Sequence, residues 1–422
     1  MYYFFNPSCF SCLILLAPNP NTMSASRGAE NRFSAKFQTG QVLTIASGHF
    51  IHDVFTSFLA PWLPLLIKKL SLSLTLAGSF TVFLRIPSIF NPVIGIIADR
   101  LDMRYMVIAA PAVTAVCMSL IGLAPSYGVV CVLLFIAGLS AAVFHVPGPV
   151  MIARVSGSQV GKGMSFFMAA GEFARTVGPL VAVAVVSLWG FAGGYPVMIV
   201  GLVASSLLYW RLRHATIHCE RRHHSSIVKT WRAMQHILIP LTCLVVARAL
   251  MVASLSAFLP TFIVAEGRSL WFGGMALALL EFAGVIGTMV SGTLSDRLGR
   301  RFVLFAAMTA SPILMLMFVM APVWAVFPVL LLLGCNVFAT GPVMLAIVQD
   351  HAHGMRATAN GIYMGINFLV VSGVTILVGW IGDLLGLRAA FAWGAVLALL
   401  GLPVIYFLPR HAGDSVGTSL TE

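Results

Sequence analysis

Charge is scarce in this chain. Asp, Glu, Lys and Arg make up 9% of its 422 residues, whereas 59% are hydrophobic and the mean hydropathy is +0.97. A water-soluble globular domain carries about 25% charged residues, so that class is excluded. Acidic residues are the rarer sign, 13 against 25 basic ones. The seven cysteines (Cys9, Cys12, Cys117, Cys131, Cys219, Cys243 and Cys335) form no paired CxxC…CxxC set. That removes zinc ribbons and disulfide scaffolds, and most of the cysteines read as small core residues in apolar runs. No nucleophile–base constellation and no complete metal-ligand set is present, so neither an enzyme nor a metal or organic cofactor is expected. The tail RHAGDSVGTSLTE is too short for a signalling domain, which counts against a receptor.

Long apolar runs fill the chain instead. A membrane-crossing helix needs about 20 mostly apolar residues. Runs of that kind lie near 40–67, 72–98, 104–123, 127–153, 161–188, 193–210, 237–264, 270–295, 302–321, 324–349, 356–382 and 389–408. The reading is an all-α membrane protein with twelve transmembrane helices in two pseudo-symmetric six-helix bundles, 40–210 and 237–409. A basic linker, 211–236, joins them, an N-terminal tail covers 1–39, and a C-terminal tail covers 410–422. Residues 1–22 are too short in their apolar run to span. Met23 opens an ordinary polar tail and is the expected start of the mature protein.

The basic residues set the orientation. With both termini cytoplasmic, about eighteen Lys and Arg fall on the cytoplasmic side and four (Lys68, Lys69, Arg268 and Arg388) on the other. This is the positive-inside bias of a multi-pass protein of the cell membrane. The formal charge of +12 is thereby a topology signal, and no nucleic-acid partner is expected.

The halves repeat. GIIADRLDMR (95–104) answers GTLSDRLGRR (292–301), GPVMIA (148–153) answers GPVMLA (341–346), and Leu63-Pro64 answers Leu259-Pro260. The three landmarks keep their order at offsets of about 193–197. In the second loop copy Gly292, Asp296, Arg297, Gly299, Arg300 and Arg301 complete G-x-x-x-D-R-x-G-R-R. The first copy keeps Gly95, Asp99, Arg100 and Arg104. This doubled loop resembles the signature of the major facilitator superfamily. The glycines are expected to admit close helix approach, and the carboxylates to latch the bundles.

A narrower likeness exists. GHFIHD (48–53), VFH (143–145) and the GP of TVGPL (176–180) resemble the fosmidomycin-resistance group of drug–proton antiporters over most of residues 40–409. The chain departs from that group at Val146, which follows His145 directly, and at Glu172 and Arg175. It also lacks the arginine often found on the fourth helix of drug antiporters.

A charge at the centre of a bilayer costs roughly 2.5–3.5 kcal/mol on insertion scales. Even so, His49, His52 and Asp53 (helix 1), Arg85 (helix 2), His145 (helix 4), Glu172 and Arg175 (helix 5), Arg248 (helix 7) and Glu281 (helix 8) lie inside spans. Helices 3, 6, 9 and 12 have none at depth. In the superfamily those four are peripheral, so every buried charge is expected to border the central cavity. Positions counted from the repeated landmarks place Asp53 level with Arg85, and Arg248 level with Glu281. Facing pairs Asp53–Arg85 and Arg248–Glu281 are expected, and Glu172 with Arg175 forms an i, i+3 pair. Each pair either holds helices together or binds substrate.

His49, His52 and Asp53 share one helix face at i, i+3 and i+4. They are read as the proton carrier, with His145 as a further candidate. The same residues are a conceivable metal site, but no further ligand is evident. Asn336 on helix 10 and Asn360, Tyr363 and Asn367 on helix 11 add neutral polar groups opposite helices 4 and 5. Together these features predict a monomeric secondary transporter exporting a small, anionic or amphiphilic organic compound in exchange for protons by alternating access. Proton-coupled uptake of an organic acid is the alternative.

Overall fold

The computed structural model describes residues 37–91, 93–94, 104–157, 159–213, 227–352 and 355–408. Residues 1–36, with the expected start at Met23, residues 214–226 of the link and the C-terminal tail from 409 lie outside them.

Among the described residues the chain is helical throughout. The helices are α1 (Thr39–Leu70), α2 (Leu74–Phe90), α3 (Arg104–Leu123), α4 (Tyr127–Val155), α5 (Val160–Gly193) and α6 (Tyr195–Leu212) in the first half. The second half has α7 (Ile227–Ala265), α8 (Leu270–Leu298), α9 (Arg300–Met320), α10 (Val323–His351), α11 (Thr358–Leu385) and α12 (Leu387–Ile405). All but α2 are long and apolar enough to cross a membrane.

Local sequence explains several boundaries. Ser73 and Ser269 are N-caps of α2 and α8, accepting from the backbone N–H of Leu76 and Phe272. Gly299 and Gly386, at φ of +92° and +83°, turn α8 into α9 and α11 into α12 within one residue, a conformation that a side chain strains. One expectation needs correction: helix 7 begins at Ile227, so the end of the expected linker is already helical. Thr230 and Met234 lie one turn apart on a buried face there.

Several of the described helices leave regular α-helical geometry inside the span. α1 turns at Ser57–Phe58, α4 turns at Val146–Pro147, and α7 passes through a π-helical stretch at Ser254–Phe258. The breaks in α1 and α7 occupy matching places, just ahead of Pro64 and Pro260. Each lies near an ionisable residue, as irregular backbone inside a membrane protein does where it borders a cavity.

The principal contacts between halves run through α2 with α11, α5 with α8, and α1 with α7. At that end one hydrophobic cluster spans both halves, from Phe55, Trp62 and Phe80 to Phe258, Leu277 and Phe391. At the other end the core divides. Val42, Ile45, Ile152 and Leu212 cluster in the first half, and Met234, Leu304, Ile347 and Leu408 in the second. The bundles therefore close together at one end and part at the end from which α1 and α7 start.

Candidate functional site

Asp53 lies where α1 meets α4 and α5. Its Oδ2 is 3.1 Å from His49 Nε2, and its Oδ1 is 3.3 Å from His145 Nε2 and 3.9 Å from His52 Nε2. His49, His52 and Asp53 are all at least nine-tenths buried, at 4%, 0% and 9% exposure. His145 has 40% of its side chain exposed and connects the cluster to open space.

The rings are held from outside. His49 Nδ1 lies 2.8 Å from the Phe167 carbonyl and so carries the proton donated there. The His49 ring stacks on Phe167 at 3.9 Å, and His52 on Phe144 at 4.9 Å. α5 approaches this closely only because residue 171 is glycine. A Cβ there would sit 2.6 Å from His49 Cε1 and 3.2 Å from Asp53 Oδ2. At Gly178 it would sit 2.5 Å from Ser57 Cβ, and Ala174 between them is fully buried. The partial glycine motif of helix 5 is thus the seat of helix 1.

The ligand atoms of His49, Asp53 and His145 lie within 4.8 Å of one another, a spacing a metal ion can bridge. Proton exchange needs less: His49 Nε2, both nitrogens of His52 and Asp53 Oδ1 are buried without well-formed hydrogen bonds, the Nε2 atoms of His49 and His52 standing 3.1 and 3.9 Å from the Asp53 carboxylate. The cluster has unfilled capacity for protons at a depth where water is scarce.

The expected charge pairs are rearranged. Asp53 does not pair with Arg85, and Arg248 does not pair with Glu281. Arg175 instead crosses between the halves and donates to Glu281 at 2.6 Å, while holding Glu172 at 3.5 Å on its own helix. Arg85 lies within electrostatic reach of Arg175 and Glu281 and makes no ion pair among the described residues. Two cations and two anions from α2, α5 and α8 thus form one cluster of zero net charge. Depth along each helix follows from residue counting. Azimuth does not, and α5 brings Arg175 to α8 because Gly274 nests 2.6 Å from Val183 if given a Cβ. Arg248 is left with 9% exposure and no acidic partner.

The second loop copy is a small ionic knot: Arg300 donates to Asp296 at 2.6 Å, to Asp350 at 3.2 Å and to Ser295 Oγ at 2.5 Å. Asp296 thereby ties the end of α8 to the start of α9. Gly299 supplies the turn, whereas the space around Gly292 is open, so it does not serve the close approach expected of it. Arg297 is exposed, and Arg301 is half-buried within the same loop. In the first copy Gly95, Asp99 and Arg100 lie outside the described residues, and Arg104 donates to the Arg213 carbonyl at 2.7 Å.

Asn336 departs from its expected place opposite helices 4 and 5. It lines a groove with Ser291, Phe302 and Ala306, and its amide returns to the Leu332 carbonyl of its own helix. Asn367 is half-buried on α11, and Tyr363 is 3% exposed with a hydroxyl lacking any partner.

Sequence reading missed Asp383. Its carboxylate, at the end of α11, accepts from the backbone N–H of Leu74 at 2.7 Å and of Thr75 at 2.9 Å, and from the Thr75 hydroxyl at 2.6 Å. A residue of one half thereby caps a helix of the other, favourable for the helix dipole. Its sign and place near a chain reversal were visible; its partner, 309 residues away, was not.

Comparison with known proteins agrees with this architecture. The chain is 23% identical over 408 residues to the fosmidomycin resistance protein of Escherichia coli (strain K12), covering 94% of this chain and all of that one. It is 24% identical over 387 residues to the uncharacterized MFS-type transporter YfnC of Bacillus subtilis (strain 168), covering 87% and 92%. Its fold matches a bacterial homolog of the human lysosomal transporter Spinster in an inward-facing, occupied conformation, with a TM-score of 0.77 at 12% identity, covering 88% and 97%. It also matches a D-xylose–proton symporter, with a TM-score of 0.70 at 14% identity, covering 89% and 99%. The family model of the Major Facilitator Superfamily matches residues 45–375. That match spans most of a chain built as two helical bundles, and the chain belongs to the Major Facilitator Superfamily of membrane transporters.

Proposed function

We propose that this transporter exports a small organic compound in exchange for protons, with Asp53 and its three histidines as the proton site. The observation that carries this reading is the His49–Asp53–His145 cluster. It combines a buried carboxylate, two imidazole nitrogens at 3.1 and 3.3 Å, and proton-binding atoms without well-formed hydrogen bonds. Such a carboxylate changes its proton affinity as its surroundings alternate between wet and dry. Exposure of His145 gives the path by which the proton is exchanged.

If the basic loops are cytoplasmic, the parted end of the bundles faces inward and a cytoplasmic substrate enters there. The proton gradient is the energy source, the cell membrane is the location, and one chain contains the whole route. The likeness to the fosmidomycin resistance protein supports efflux.

A second reading, uptake of an organic acid together with a proton, draws on the charge count. With the four-residue cluster neutral, Asp53 and Arg248 balance one another. An anion beside Arg248 leaves the cavity negative by one, which favours a proton on the Asp53 cluster rather than its release.

Transport into proteoliposomes under an imposed pH gradient tests the proton role. Asp53→Asn is expected to abolish gradient-driven accumulation while leaving elution as a folded monomer unchanged. Undiminished accumulation rejects it. The sign of movement under that gradient separates export from uptake.

A further inference from the structure

Arg248 has no acid beside it among the described residues, because Glu172 and Glu281 share a neutral cluster with Arg85 and Arg175 and Asp53 faces histidines. Arg248 has 9% of its surface exposed, and its guanidinium keeps its proton in any protein setting. Among the described residues it makes no ion pair and no hydrogen bond. Its expected acid, Glu281, is taken by Arg175 at 2.6 Å, and Glu172 holds Arg175 from the other side. Asp53 is turned towards histidines of α1 and α4. The titratable group within electrostatic reach of Arg248 is Tyr363 on α11. That tyrosine is 3% exposed, and its hydroxyl has no partner. Two buried polar groups on adjacent helices are therefore left without partners among the described residues.

We propose that Arg248 and Tyr363 form an oxyanion-binding subsite for the transported molecule, so that the substrate class is organic acids. This rests on the transport reading but not on its direction. The guanidinium fork matches two oxygens of a carboxylate or phosphonate, and the tyrosine hydroxyl donates a third hydrogen bond. The backbone beside the subsite is suited to a ligand. α7 leaves regular geometry at Ser254–Phe258, where the Ser254 hydroxyl is also buried and without a partner. π-helical turns of this kind concentrate at functional sites. One turn before Tyr363, Asn360 presents an unpartnered carbonyl oxygen that can accept from a donor on the substrate. Counted from Pro64 and Pro260, Arg248 lies in the second half at nearly the depth of Asp53 in the first. The anion and the proton thus have seats at similar depth on opposite bundles.

The test uses the full-length protein purified in detergent, with benzoate and phenylphosphonate as probes and uncharged benzamide as the control. Saturable thermal stabilisation by the two anions, and none by benzamide, is expected. Arg248→Lys keeps the charge and loses the fork, and is expected to weaken anion affinity about tenfold. Tyr363→Phe removes one hydrogen bond to a charged group and is expected to weaken it about tenfold or more. Arg248→Gln is expected to abolish it.

Elution volume reports whether each variant is folded. The two conservative variants keep the test decisive if Arg248→Gln does not fold. No saturable anion response in the wild-type protein overturns the subsite, as does unchanged affinity in both Arg248→Lys and Tyr363→Phe. Asp53→Asn separates the two readings. Anion binding retained with gradient-driven transport lost supports both. Anion binding retained with transport intact removes the proton role and leaves the subsite standing.

Discussion

His49 shows how a single side chain acquires a function from its contacts. The Phe167 carbonyl takes the proton of Nδ1, so Nε2 faces the Asp53 carboxylate as an acceptor or, once protonated, as a cation. His49→Asn keeps a donor at the Nδ1 position for that carbonyl but removes Nε2. It is expected to slow gradient-driven transport at least tenfold, on the usual scale of 10²–10⁴ for a positioned proton-transfer group, while ligand-induced stabilisation persists. Full transport in that variant would assign the proton to Asp53 and His145 alone.

The Arg175–Glu281 bridge makes a separate prediction at this scale. Removing one partner of a buried pair costs about 3–5 kcal/mol, because the other charge is left unmatched. Here Arg175 is partly exposed and Glu172 remains beside it, so the cost is expected at or below the lower end. Glu281→Gln alone should lower stability more than Glu281→Gln combined with Arg175→Gln. A double-variant loss equal to the sum of the two single-variant losses on unfolding would mean the bridge contributes nothing.

At the scale of elements, α5 serves two neighbours at once. Its small face (Gly171, Ala174, Gly178) seats α1, and its polar face (Glu172, Arg175) reaches α8. Gly171→Val would drive a side chain into His49 and Asp53. Overpacking of this kind costs about 1–3 kcal/mol, and transport should fail even where the protein still folds. Normal transport in a folded Gly171→Val variant would show that the cluster tolerates displacement.

The glycine spacing and the proline of this helix were legible in the sequence. Which neighbour each face meets was not, because residue counting gives position along an axis but not rotation about it. The same limit explains why Asp53–Arg85 and Arg248–Glu281 were expected pairs and Arg175–Glu281 was not.

At the scale of the whole molecule, the halves touch where Val183 meets Gly274, where Gly379 lies against the Leu74 carbonyl, and where Asp383 caps α2. Alternating access requires this end to open. A disulfide between Val183→Cys and Gly274→Cys, in a background free of other cysteines, is expected to stop transport and to release it on reduction. Continued turnover of the oxidised protein would mean that this end need not part. The ionic knot of Arg300 with Asp296 and Asp350 lies wholly in the second half, so in this conformation it ties helices within a bundle rather than across bundles.

Composition and run length alone determined that the chain is a multi-pass helical membrane protein. Repetition determined that it has two related halves, because apolar length and repeated motifs are local properties of the chain. The same patterning placed every deep charge on helices other than the third, sixth, ninth and twelfth. Which charges meet was decided only by the tertiary structure. Glu281 has charged groups within reach on both α2 and α5, and the choice among them depends on how α5 and α8 rotate and close on small residues. That choice neutralised Arg175 and left Arg248 without an acid, and no count along the sequence contains it.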